Sequence, residues 1–194
     1  DASLGFGWEC PPNGMERMLS YCSHRNAMNI FGTQETHNTP RATMRYGTAF
    51  SRMGYALMAF LPHVVPFIHS GYELGEKMPV NTGVGFSADE SHFYRSLPLS
   101  LFNKGIYSWE NPGNITRIIS RINKSREKNL SMVIDTREAS YDRPHIESYE
   151  NDCVAYRRID PKDPTRQIIV IANTNMYSSR KFYLHAPYTG DRKI

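Results

Sequence analysis

Between residues 27 and 69 the chain alternates in an order that few folds can use. A short apolar run, Ala27 to Thr33, leads into the polar loop Gln34 to Arg41. An amphipathic segment follows, with Ala49, Met53, Ala56, Leu57 and Phe60 on one helical stripe, and Pro62 stops it. The next run, Val64 to His69, is β-branched, apolar and bounded by prolines. Strand, loop, helix and strand in this order make a crossover whose two strands pair in parallel. Parallel strands are covered on both faces, so Val64 to His69 is expected to be buried. The helix is expected to open at Thr39-Pro40, with Thr39 as N-cap and Pro40 in the first helical position.

The same periodicities organise the rest of the chain. Asn13 can cap a helix whose apolar face is Met15, Met18, Leu19 and Cys22. From Gly71 to Gly113 the chain is polar and rich in Gly and Pro, the kind of long connection that is functional or carries short helices. Asn114 caps a second amphipathic helix with Ile115, Ile118, Ile119 and Ile122 on its inner face. Beyond Asn129 the pattern becomes short strands between turns: Met132 to Thr136, Cys153 to Arg158, Gln167 to Asn173 and Lys181 to His185. The expected class is α/β followed by all-β, the second part a small antiparallel sandwich. The boundary is expected near Glu127 to Asn129, dividing 1–128 from 129–194.

Composition narrows the function classes. With 40% hydrophobic residues in 194, the chain can build a core and is neither collagen-like nor disordered. Its longest apolar-rich run, Ala56 to Ile68, is broken by Pro62, His63 and Pro66, short of the ~20 residues a membrane span needs, so no membrane partner is expected. The opening Asp1 is expected to mark a processed product or a piece of something longer, and the residues after it do not follow a secretory leader pattern. The net charge of +4 comes from scattered residues, except for a basic run from Arg117 to Lys128 at a helix C-terminus, where cations are favoured anyway. No nucleic-acid partner is therefore expected. Cys10, Cys22 and Cys153 form no metal-ligand spacing and read as thiols of a reducing compartment, which favours the cytoplasm. No metal and no cofactor are expected.

Two polar clusters carry the candidate chemistry. Gln34-Glu35-Thr36-His37-Asn38-Thr39-Pro40-Arg41 lies between the C-terminal end of one expected strand and the next helix. His69-Ser70-Gly71-Tyr72-Glu73-Leu74-Gly75-Glu76 directly follows the next strand. In βα architectures ligands bind at this edge, where strand ends gather side chains about one axis. Each cluster also has a plainer reading. Asn38 and Thr39 can cap the helix beside a surface His37, and the second cluster can be a turn with an exposed carboxylate pair.

Phe31-Gly32-Thr33-Gln34-Glu35-Thr36-His37-Asn38-Thr39-Pro40-Arg41 resembles the fourth conserved region of glycoside hydrolase family 13, the α-amylase family. That region closes the seventh barrel strand with a His-Asp pair, often followed by Thr-Pro-Arg. Val65-Pro66-Phe67-Ile68-His69-Ser70-Gly71-Tyr72-Glu73-Leu74-Gly75 resembles its eighth strand, and Ser-Gly-Tyr-Glu-Leu followed by Pro79, Asn81 and Gly83 is most similar to the maltosyltransferase branches. The isoleucine helix resembles the eighth barrel helix and the β tail the family's C-terminal sandwich.

The resemblance implies the last three βα units of a TIM (β/α)8 barrel followed by that sandwich. It also implies a partner, the missing N-terminal barrel half, and an α-glucan or malto-oligosaccharide as substrate. Family members act as retaining glycosidases or transglycosylases, with a nucleophile on strand four and an acid/base on strand five. Retention needs those carboxyls about 5–5.5 Å apart. Neither strand is expected here, so the isolated chain is expected to be inactive. Asn38 stands at the third, transition-state-stabilising position, where the family has Asp. The resemblance further implies sugar contacts from His37 and Arg41, with Tyr72 and Glu73 at the pocket rim. A non-catalytic carbohydrate-binding or structural module is the alternative, which Asn38 favours.

Overall fold

The computed structural model describes residues 3–5, 29–83, 85–101, 107–147 and 152–185. The expected helix after Asn13, together with Cys10 and Cys22, lies outside the described residues. Strands β1 (Ser3–Gly5), β2 (Ile30–Thr33) and β3 (Val64–Pro66) form one parallel sheet in that order. Ile30 is in register with Val64 and Gly32 with Pro66. Both polar clusters therefore leave the sheet from the same edge, at the C-terminal ends of β2 and β3.

Helix α1 (Ala42–Ala59) crosses between those strands and is interrupted at Gly47, whose φ is +81°. It begins at Ala42 rather than at Pro40, because Thr39 is occupied within the loop, where its Oγ1 accepts from the Thr36 amide at 2.9 Å. The buried face is also rotated from the expected stripe. Phe50, Ser51, Gly54, Leu57 and Met58 point inward, whereas Ala49 is exposed and Met53 and Ala56 are half-buried. Gln34 causes this, since its side chain reaches under the helix and its Nε2 donates to the Phe50 carbonyl at 3.2 Å. A Cβ on Gly54 would stand 1.8 Å from that Nε2, so only glycine lets Gln34 pass.

The expectation that Val64 to His69 is fully buried does not hold. Val64 is buried under α1, but Val65 and Phe67 are exposed, as is Phe31 beside them on β2. The helix covers one sheet face only. On the other, Phe31 and Phe67 meet edge to face, with ring centroids 6.0 Å apart.

Helix α2 (Ala88–Arg95) lies in the long connection and starts with a Ser87–Glu90 capping box. Helix α3 (Thr116–Lys128) follows, with Ile115 rather than the expected Asn114 at the N-cap; Asn114 stands one residue earlier, where its Oδ1 accepts from the Thr116 amide at 2.9 Å. Ile115 and Ile119 are buried, and Ile122 packs against the core from the rim.

Met132 to Thr136 is not a strand. A one-turn helix, α4 (Leu130–Val133), takes its place, because Arg158 is buried beside it and its Nη2 donates to the Met132 carbonyl at 2.8 Å. That burial holds the Arg158 guanidinium below its ordinary pKa.

The remaining strands are β4 (Tyr141–Asp142), β5 (His145–Glu147), β6 (Cys153–Ile159), β7 (Gln167–Asn173) and β8 (Tyr183–His185). They form an antiparallel sheet β4-β6-β7 and an antiparallel pair β5-β8. One apolar cluster joins the two halves of the chain: Leu57, Met58, Ile115 and Ile119 share it with Val133, Val154, Tyr156 and Ala172. The Tyr156 hydroxyl donates to the Leu57 carbonyl across the expected 128/129 boundary.

Candidate sugar-binding rim

The first loop is built around Glu35, which is fully buried. Its Oε2 accepts from the Ala42 amide at 2.8 Å, and its Oε1 accepts from Arg41 Nη1 at 2.6 Å. A carboxylate at a helix N-terminus satisfies a donor with no intrahelical partner and complements the positive end of the helix. Glu35 therefore does what was expected of Asn38 and Thr39. Asn38 does not cap the helix. Its side chain is exposed at the loop tip, its amide donates to Thr36 Oγ1 at 3.1 Å, and its carbonyl accepts from Gly85 at 3.0 Å. His37 is exposed beside it.

Arg41 ties this loop to the next one. It is 1% exposed; Nη1 also donates to the Ser70 carbonyl at 2.8 Å and lies 2.8 Å from His69 Nδ1. Its Nε donates to the Met78 carbonyl at 2.9 Å. The structure thus corrects the expectation of a sugar contact from Arg41, because its guanidinium faces inward onto protein acceptors.

Tyr72 is corrected in the same way. It lies in the core rather than at a rim, with its hydroxyl against Gln34 Oε1 and the Ser51 carbonyl. Burial, with the Glu35 charge adding to it, pushes the Tyr72 phenol well above its ordinary pKa, so it is neutral. Glu73 is half-buried, and its Oε2 accepts from the Gly71 amide at 3.1 Å. Gly71 turns the chain at φ +93°, a left-handed conformation that other residues rarely adopt.

Side chains placed where a ligand can touch them are therefore His37, Asn38 and, in part, Glu73. Beneath them runs a fixed layer of Glu35, Arg41, His69, Gln34 and Tyr72. Sequence reasoning overlooked Glu35 and Gln34 as organisers. The available signal was an acidic residue seven positions before the first helical residue, inside the same polar loop. Among the described residues, no three His, Cys, Asp or Glu side chains gather as a metal cage.

No protein-family model matches this sequence, and no curated protein matches it. Its structure is similar to part of a solved pullulanase from Anoxybacillus sp. LM18-11, with a TM-score of 0.54 and 13% identity. The match covers 85% of this chain and 25% of that one, so the chain spans about a quarter of the pullulanase's length. At that identity the likeness is one of fold.

Proposed function

We propose that this chain is the C-terminal portion of an α-glucan-acting glycoside hydrolase or transglycosylase, comprising the last three βα units of a TIM (β/α)8 barrel and a C-terminal β-sandwich. The observation that carries this reading is the parallel sheet β1-β2-β3 with both polar clusters at the C-terminal ends of adjacent strands. In barrels of this class, that is where substrates bind. The fold likeness to a pullulanase supports it, as does the sequence resemblance to the α-amylase family at His37-Asn38 and at Ser70 to Leu74.

In this reading His37 donates to a sugar hydroxyl, and Asn38 occupies the position that faces the ring as it becomes oxocarbenium-like. Glu35 and Arg41 hold the loop that presents them. The bare sheet face at Phe31, Val65 and Phe67 becomes barrel interior once the N-terminal half is supplied. The nucleophile and acid/base belong to that half, so the isolated chain binds glucan without cleaving it. Asn38 also supports a second reading, a non-catalytic carbohydrate-binding module, because an amide carries no charge to oppose the one developing on the ring.

Asn38→Asp in the intact parent protein separates the two. An exposed side chain that caps no helix can change without loss of stability. In an enzyme the restored carboxylate raises kcat on α-1,4-glucans by about 10²-fold, with a smaller change in KM. A parent that turns over glucan no faster with Asp than with Asn removes the catalytic reading and leaves the binding module.

A further inference from the structure

The segment 107–115 belongs to neither polar cluster, yet it is stitched to the rim. The Ile115 amide donates to the Glu73 carbonyl at 2.8 Å, and Asn111 Nδ2 reaches the Gly75 carbonyl at 3.4 Å. Gly75 and Gly113 are in backbone contact, so close that a Cβ on Gly75 would stand 2.5 Å from the Gly113 carbonyl oxygen. Tyr107 lies over Gly71, where a Cβ would meet its ring at 3.0 Å and Arg41 Nη2 at 3.4 Å. One segment thus touches the turn after β3, and Gly71 in that turn has Tyr107 of the segment and Arg41 of the first loop as its neighbours.

Trp109 sits two residues beyond Tyr107, at most about 7 Å along the backbone. Trp109 is 65% exposed. The backbone beneath it is fixed: Asn114 Nδ2 donates to the Trp109 carbonyl at 2.8 Å, and Asn111 Oδ1 accepts from the Gly113 amide at 2.8 Å. A rigid turn that holds a large apolar ring in water forgoes the burial such a ring ordinarily gains. Exposed Glu110 follows it with a carboxylate that can accept from hydroxyls.

We infer that Trp109 is a stacking platform for a glucosyl ring of an α-glucan, an outer contact of the rim that carries His37 and Asn38. A pyranose ring presents an apolar face of C–H groups edged by hydroxyls. The indole takes the face, while the exposed Glu110 beside it is the carboxylate for the hydroxyls. The inference rests on the glucan reading above and extends the site outward from the reacting bond.

The test uses the 194-residue chain and maltoheptaose, with affinity measured by calorimetry for wild type, Trp109→Phe, Trp109→Ala and His37→Ala. The difference between wild-type and Trp109→Phe emission isolates the Trp109 signal. Trp109→Ala is expected to weaken binding about three- to tenfold, Trp109→Phe to retain most of it, and the Trp109 emission to shift on saturation. If His37→Ala weakens binding but Trp109→Ala does not, or the emission stays fixed, the platform is overturned and the glucan reading stands. If maltoheptaose binds no variant and not the wild type, both fail.

Discussion

Replacing Glu35 by Gln removes a single negative charge from beneath the rim and leaves the shape nearly unchanged. The carboxylate is 0% exposed and its partner Arg41 is 1% exposed, so neither charge reaches water for compensation. Gln can still accept from the Ala42 amide, but its NH₂ then faces the Arg41 guanidinium, donor against donor. The cost is that of a buried cation without its anion, about 3–5 kcal/mol. Stabilities of native domains are about 5–15 kcal/mol, so this is a large fraction of the whole. At about 2–4 °C per kcal/mol for a chain of this size, the melting temperature falls by roughly 6–20 °C. Urea and thermal unfolding followed by circular dichroism read both quantities. The double replacement Glu35→Met with Arg41→Met removes both charges together and recovers much of the loss, because buried ion pairs exchange for apolar pairs at little net cost. A Glu35→Gln protein within 1 kcal/mol of wild type would refute the view that this pair organises the loop.

Two further outcomes follow from the same packing. Gly54→Ala drives a methyl into Gln34 and is expected to destabilise by about 1–3 kcal/mol in urea unfolding; an unchanged midpoint would mean that Gln34 does not run under α1. His63, whose φ is +59°, is held below its ordinary pKa of 6.5 by burial and, secondarily, by Arg158. The unfolded chain therefore takes up this proton first, so the stability contribution is complete above pH 6.5 and is lost as pH falls through the lower folded value. His63→Asn, which also tolerates positive φ, should gain on wild type in unfolding experiments between pH 7.5 and 5.5. A constant difference across that window would contradict the assignment.

Much of the architecture was legible because hydrophobic period and punctuation agreed. The parallel pairing of β2 with β3, the isoleucine helix α3 and the strands β6 and β7 all followed from local pattern. Several misreadings share one cause: a polar or charged side chain buried by partners distant in sequence. Gln34 rotates the buried face of α1 by reaching Phe50 and excluding any side chain at Gly54. Arg158 claims the Met132 carbonyl and holds a helical turn where apolar content had pointed to a strand. Arg41 looked like a ligand contact because arginines in polar loops often are, yet its partners include groups 28, 29 and 37 positions further along the chain. Tyr72 followed it inward through Gln34. His37 and Asn38 are exposed.

The central claim is that this surface takes up α-glucan. Amide shift mapping of the isotopically labelled chain during titration with maltoheptaose tests it most directly. The account predicts saturable shifts at His37, Asn38 and the turn from Gly71 to Glu76, spreading to Trp109 and Glu110, with β6 and β7 unmoved. Shifts confined to the β strands beyond residue 140, or none at millimolar sugar, would contradict it.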